Sequence, residues 1–472
     1  MQKLILLLIS LSSFLSTFGA TITWDGDAGD GQWTTATNWD GDVLPGAGDD
    51  VVIANGNDVT ISTGSVTVNT VKINNNASDL TIAAGATLNV FNSGAGSTLE
   101  VANGGLKLYG NVNITGGSTG LLIYGNFQNY NTGVLDISGS SSYCINSIQD
   151  LTNNGTIYLD GGSIASLNTI GSFFDNNGTI DITNSGARAI NFLSVFTNGA
   201  SGTINIASGT GYGIYFPDDF SLTNDGSIVI SGTANNAIQV ENVNGTAAFT
   251  NSGILQGTGT FDLNGSPLGG TVIPGLSPGT MNFAGNQVFA AGTTLEVEVN
   301  GITPGTEHDK VVVAGTATLG GTLNVSINYT PTKGDQIVIL QAGSISGTFS
   351  SINPALPLEW EIVYTSGAVT LIYDWTVGVW DGWAGDGEWT NANNWEGRIL
   401  PGPGDDVLIA NGDDVMLSAG SVTVNKVKIN QTSSDLTIAA GATLNIFNSS
   451  SGSALEITRG GLKIYGNINI TG

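Results

Sequence analysis

Between Phe127 and Gly257 the chain writes one short pattern six times. FQNYNTGVLDI, LTNNGTIYL, FDNNGTIDI, FTNGASGTINI, LTNDGSIVI and FTNSGILQG follow one another, and their glycines (Gly133, Gly155, Gly178, Gly202, Gly226 and Gly253) lie 22, 23, 24, 24 and 27 residues apart. A period of this size, built from β-branched and aromatic residues, belongs to a β-solenoid in which each coil is about three short strands separated by bends. One coil cannot bury its own apolar face, so Ile, Val, Leu and Phe at equivalent positions have to stack through neighbouring coils into a continuous column. The asparagines ahead of the glycines, Asn153, Asn176, Asn198, Asn224 and Asn251, are expected to bond along the stack as a side-chain amide ladder. The glycines are expected to supply a left-handed backbone at the bend. The recurring asparagine is read as scaffold rather than as a ligand-binding array.

A second, longer repeat frames the first. The stretch Trp24 to Ile53 returns at Trp380 to Ile409, and the match continues at a constant offset of 356 to the last residue, with about 67 of 93 positions identical. Each copy opens with tryptophans at relative positions 0, 9 and 15, then Leu-Pro-Gly, then an acidic pair that leads into a β-branched run. Alternating runs such as VTVNTVKI at 66 to 73 and LTIAAGATLNV at 80 to 90 follow, separated by Asn, Gly or Asp. From about Gly257 the strands lengthen, as in TTLEVEV at 293 to 299 and TLNVSINY at 322 to 329. The expected organisation is all-β. A signal peptide occupies 1–20, a Trp-rich cap 21–48, and a parallel β-helix of roughly ten coils 49–257, with ~4.8 Å between coils. A small antiparallel β module at 258–374 ends the solenoid and covers its open edge, and 375–472 begins a second copy. Because that copy stops at the equivalent of Gly116, further copies of the unit are expected downstream.

The address and the charge narrow the partners. MQKLILLLISLSSFLSTFGA joins a basic Lys3 to a short apolar run and small residues, the pattern of a secretory signal cleaved after Gly19 or Ala20. The apolar run is shorter than the ~20 residues of a spanning helix, and no later segment is long enough either. The protein is therefore expected to be secreted or on a cell surface. Its one cysteine, Cys144, permits no internal disulfide and is read as a small buried apolar group. A net charge of −27, with only 11 Lys and Arg, argues against nucleic acid and anionic lipid as partners.

Catalytic chemistry is poorly supplied. A polysaccharide lyase needs Lys or Arg beside the uronate, and between Lys107 and Lys310 the chain has one base, Arg188. A glycosidase needs two carboxylates, for which Asp160 with Asp181, or Asp218 with Asp219, are the candidates, although acids at solenoid bends are ordinarily solvated. His308, the only histidine, stands in GTEHDKV and is read as a loop residue; no GxSxG elbow accompanies it. No Cys or His cluster offers a structural zinc site. No enzyme is expected. Asp25, Asp27 and Asp30 have the oxygen spacing of a calcium loop, so Ca²⁺ stays open as the one candidate cofactor. In the second copy Asp381 and Asp386 persist, but Trp383 replaces Asp27. The pairs Asp49-Asp50 and Asp405-Asp406 fit a turn equally well. Trp24, Trp33 and Trp39 could stack on sugar rings, but their place directly before the first coil favours a cover for its apolar column.

The W-x8-W-x5-W opening with LPG-x-GDD-V, the coil motif N-x-G-x-I-x-I, and the passage Leu276 to Ser326 with LSPGT, TTLEVEVNG and PGTEHDKVVVAGTATLGGTLNVS together resemble the passenger regions of autotransporter-type and related bacterial adhesins. That resemblance spans nearly the whole chain after residue 20. It implies a right-handed parallel β-helix of the pectin-lyase type and a structural or adhesive role toward a host-cell, matrix or polysaccharide surface. The alternative is a carbohydrate-binding or carbohydrate-cleaving β-helix. A groove of clustered Asp and aromatic residues would favour that alternative, and a smooth Thr, Ser and Asn surface the adhesin.

Overall fold

The computed structural model describes residues 19–471 except 172, 218, 234, 242–244, 333, 355, 357–359, 374–377 and 449–452. The signal segment read at 1–20 thus lies almost wholly outside the described residues, as does Asp218. The chain forms two compact units. The first comprises the residues up to Tyr329 with Ile337–Ala355 and Tyr364–Thr370, and the second Thr330–Gln336, Leu356–Val363 and Leu371–Gly472. No described helix is long and apolar enough to cross a membrane.

The first unit is a parallel β-solenoid. Each coil of the repeat region gives one strand to each of three ladders. The first ladder begins Thr21–Trp24, Asp50–Ile53 and passes through Tyr143–Ser147 and Arg188–Phe192. The second contains Val59–Ile61, Asn126–Asn129, Leu151–Asn153, Phe173–Asn176 and their successors to Ala248–Asn251. The third runs from Ser65–Val68 to Ser351–Asn353 through thirteen strands, each parallel to the next. Strict alternation decides which side chains face in. In the third ladder Ile157, Ile180, Ile204 and Ile228 are successive register partners and fully buried, while their neighbours Tyr158, Asp181, Asn205 and Val229 face out. Aromatic rings stack by the same register: Phe174 lies on Phe196 with centroids 4.4 Å apart, and Phe192 on Phe216 at 4.7 Å.

Inside the second ladder runs the expected amide ladder, with one more member than the motif showed. The side-chain nitrogens of Asn129, Asn153, Asn176, Asn198 and Asn224 each donate to the amide oxygen of the next asparagine, at 2.7, 2.7, 2.8, 2.7 and 2.6 Å, ending at Asn251. The same nitrogens also reach backbone carbonyls of the next coil, those of Thr156, Thr179, Thr203, Ser227 and Ile254. All six asparagines are buried.

Two expectations need correction. The repeat glycines are not left-handed: Gly133, Gly155, Gly178, Gly202, Gly226 and Gly253 are absent from the positive-φ glycines. They are there for space. A Cβ on Gly155 would lie 2.3 Å from the Gly133 carbonyl oxygen, one on Gly178 2.0 Å from that of Gly155, and one on Gly253 2.0 Å from that of Gly226. Coil backbones touch at this corner, and only hydrogen fits between them.

The second correction concerns 258–374. Its strands do not form an antiparallel module; they continue the solenoid. Leu268–Pro274, Gln287–Val299, Thr322–Ile327 and Ser351–Asn353 extend the third ladder in parallel, and Gly259–Asp262, Thr280–Phe283, Lys310–Leu319 and Gln336–Gly347 extend the first. Side-chain alternation is the same for parallel and antiparallel strands, so it carries no direction. The coils also lengthen here: Leu295, Leu323 and Ile352 are successive partners 28 and 29 residues apart, and the motif spacing no longer marks them. Hairpin-like turns interrupt this part of the coil path: Val299 bridges His308 antiparallel, with the Asn300 N–H donating to Glu307 O at 2.6 Å, and near the end the Thr365 N–H donates to Ala368 O at 2.9 Å between Trp360–Tyr364 and Ala368–Tyr373.

The second unit reproduces the opening of the first. Asp406–Ile409, Lys426–Ile438 and Leu455–Ile464 pair in parallel, as do Ser421–Val424, Thr443–Phe447 and Asn467–Thr471. Its core gathers Trp380, Trp389 and Trp395 with Ile409, Ile429, Leu436, Ile438 and Leu444.

Two substitutions separate space from bonding. Asn176→Ala leaves the Asn153 amide nitrogen and the Asn198 amide oxygen without their ladder partners, at about 1–3 kcal/mol for each buried group. Gly178→Ala forces the Gly155 backbone aside, at about 1–3 kcal/mol or more. Urea titration of each variant should show both losses. A Gly178→Ala midpoint equal to that of the parent would mean the coils do not approach as closely as described.

Candidate functional site

The tryptophans are the cover of the solenoid end. Trp24, Trp33 and Trp39 are 0–1% exposed, with Trp24 and Trp33 both edge-on to Trp39 at centroid distances of 4.9 and 4.7 Å. Trp39 Nε1 donates to Trp33 O at 2.8 Å. Stacking of these three on sugar rings is therefore excluded by burial. Apolar area removed from water at ~25 cal/mol per Å² is what three such rings contribute.

Asp30 holds this cap together. One carboxylate oxygen accepts the Gln32 N–H at 2.9 Å and the Asn38 amide at 2.6 Å, and the other accepts the Thr35 hydroxyl at 2.7 Å. These three donors, the Gln32 backbone first, hold its pKa below the ordinary aspartate value. Asp25 accepts the Asp27 N–H across a short turn. The calcium reading needs oxygens of all three acids turned to one point, and the structure turns those of Asp30 into the cap. Among the described residues no group of three or more His, Cys, Asp or Glu is placed to hold a metal ion. In each acidic pair the first acid closes a turn and the second opens a strand. Asp49 accepts the N–H groups of Gly46 and Ala20, and Asp50 accepts Asn69 and Thr70. The second cap repeats the plan with Asp386, which accepts Asn391, the Glu388 N–H and Asn394.

Asp160 and Asp181, weighed as a hydrolytic pair, are not register partners of one another. Register sets Asp160 opposite Thr183, and Asp181 opposite Tyr158 and Asn205. Asp160 accepts Thr183 and Asn184, Asp181 accepts Asn205, and Asp219 accepts Thr246.

The sequence concealed an acidic cluster near the end of the solenoid. Ser277, Glu296, Glu298, Asp309, Asn324 and Ser326 line a cavity of about 190 Å³. Asp309 is buried, accepting the N–H groups of Gly279 at 2.7 Å and Glu298 at 2.8 Å, and the Ser277 hydroxyl donates to Glu298. Burial, against those two hydrogen bonds and with the Glu298 charge beside it, pushes the Asp309 pKa up to about 6. Its neighbour His308 is a loop residue as expected, but a buried one, and burial lowers its pKa. The signal for Asp309 was an acid two residues before a β-branched run, which is common to many solvated turns. Cys144 is likewise buried, and burial pushes its thiol up to about 12, the state of an inert core group.

No protein-family model matches the chain, and no curated protein matches it either.

Two measurements follow. Native protein at pH 8 should leave Cys144 unmodified by a thiol reagent, and urea should expose it; rapid native labelling would contradict its burial. Asp309 binds its proton more tightly folded than unfolded, so its contribution is most favourable at low pH and declines as pH rises from the ordinary aspartate value through about 6. The stability of Asp309→Asn relative to the parent should therefore improve between pH 4 and pH 7. A pH-independent difference in urea midpoint would contradict it.

Proposed function

We propose that the protein is a non-catalytic structural or adhesive protein, secreted to the bacterial cell surface, whose solenoid presents a binding surface to a host-cell, matrix or polysaccharide partner. The observation that carries this reading is the use made of surface acids. Asp150, Asp160, Asp181, Asp219 and Asp225 each accept a hydrogen bond from a residue 23 to 27 positions onward, in the neighbouring coil. Acids held as rungs between coils are positioned for scaffold, and a hydrolase needs two of them free and facing each other. The resemblance of the caps, the coil motif and the Leu276 to Ser326 passage to autotransporter-type adhesins, with their right-handed pectin-lyase-type helix, supports the same reading.

The alternative, a carbohydrate-binding solenoid, draws on one cluster. Arg188, the only base of the middle coils, lies 4.2 Å over the Tyr215 ring, beside Tyr212, and the Tyr215 hydroxyl donates to Glu241 at 2.6 Å. Its aromatic and charged groups are bonded to one another.

The protein should be retained by at least one of immobilised host cells, extracellular matrix or polysaccharide, and should release no product from pectin, alginate or a β-glucan. Product release that disappears in Asp181→Asn would overturn the non-catalytic reading, and retention on none of the surfaces would overturn the adhesive one.

A further inference from the structure

We propose that the second cap carries a binding site for an uncharged saccharide, a site the first cap lacks. This narrows the polysaccharide partner named above and rests on that reading. The repeat offset places Trp383 where the first copy has Asp27, and Arg398 where it has Asp42. The two replacements act together. Arg398 keeps the left-handed backbone of Asp42, with φ of 60° against 56°, and lays its guanidinium 4.7 Å over the Trp383 ring while pairing with Asp381. Trp383 is 71% exposed, whereas the three structural tryptophans of the same cap are 0–1% exposed. A guanidinium held on a ring by the cation–π attraction fixes the orientation of an exposed apolar platform.

The loop that carries Trp383 also borders a cavity. Gly382 and Gly385 line it together with Trp380, Asp386, Asp413 and Asp414, and its volume is about 320 Å³. The lining includes Trp380, which is 1% exposed and whose Nε1–H has no hydrogen-bond partner among the described residues, a donor that the equivalent Trp24 of the first cap shares. A buried N–H without a partner is unfavourable, and an incoming acceptor would satisfy it. The acceptors are there as well. Asp413 takes the Asn411 amide on one oxygen and Asp414 the Asp435 N–H on one oxygen, which leaves a second oxygen on each carboxylate. Asp386 is occupied within the cap by Asn391, the Glu388 N–H and Asn394.

This set of groups selects by chemistry. Sugar hydroxyls both donate to carboxylates and accept from an indole N–H, and the C–H face of a sugar ring packs on an aromatic plane. A uronate would meet Asp413 and Asp414 with like charge, and the cations nearby, Arg398 and Lys463, are already paired with Asp381 and Asp435. In the first cap Asn57 stands in place of Asp413 and Asp27 in place of Trp383, so both the platform and one acceptor are missing.

The test uses the full chain and follows tryptophan fluorescence and calorimetry with cellohexaose, laminarihexaose and mannohexaose as neutral probes and hexagalacturonate as the anionic one. At least one neutral hexasaccharide should bind. Trp383→Ala should weaken it about tenfold, the loss of one stacking contact of ~1.4 kcal/mol. Trp383→Phe should keep most of the affinity, and Asp27→Asn in the first cap should change nothing. Trp383 is exposed, so near-ultraviolet dichroism should show the cap intact in these variants. Equal binding by Trp383→Ala, or preference for hexagalacturonate, would overturn the proposal. If no neutral hexasaccharide binds while the protein still adheres to matrix or cells, the proposal fails and the adhesive reading stands.

Discussion

Everything in the first unit depends on each coil finding its hydrogen-bond partners in the next. The amide ladder is the strictest form of that dependence, because it sits in the interior where an unpaired amide has no water to turn to. Its polarity is uniform. Every side-chain nitrogen points toward the following coil, so each asparagine is bonded on both sides except at the ends. At the C-terminal end the Asn251 nitrogen finishes on the Gly269 carbonyl at 2.7 Å. At the other end the Asn129 oxygen has no partner among the described residues, since the register position before it is Leu108. The ladder thus has a defined start and stop, and the repeat glycines let the coils approach closely enough for it to close.

The same dependence governs the surface. Acids that would look reactive in a sequence are rungs between coils, and the acids of the caps hold turns. Chemistry is left to places where the repeat departs from itself. The second cap is the clearest of these, because two paired replacements there convert an acidic turn into an exposed tryptophan held by an arginine. Repetition builds the scaffold, and the exceptions to it mark where a partner could be recognised.

Much of this was legible from residue order alone. The period of the glycines identified coils, the recurrence of Ile, Val, Leu and Phe at equivalent positions identified the inward column, and the position of the tryptophans before the first coil identified a cover. The amide ladder was legible because one residue type recurs at one register position. What escaped has physical causes. The glycine requirement was assigned to backbone torsion because a sequence shows a missing Cβ without showing what would strike it. Strand direction after Gly257 was misread because alternation is blind to direction. Asp309 was missed because its burial arises from Gly279 and Glu298, 30 and 11 residues away. Trp383 was seen only as the loss of an acid, since its pairing with Arg398 depends on the fold of the loop between them.

Stability passes from coil to coil through these shared bonds. Hydrogen–deuterium exchange along residues 126 to 256 tests it most directly, comparing the parent with Asn198→Ala. Protection should fall in the coils on both sides, around Asn176 and Asn224, and recover with distance toward Asn129 and Asn251. Protection lost only in the strand Val195–Asn198, with the flanking coils unchanged, would contradict it.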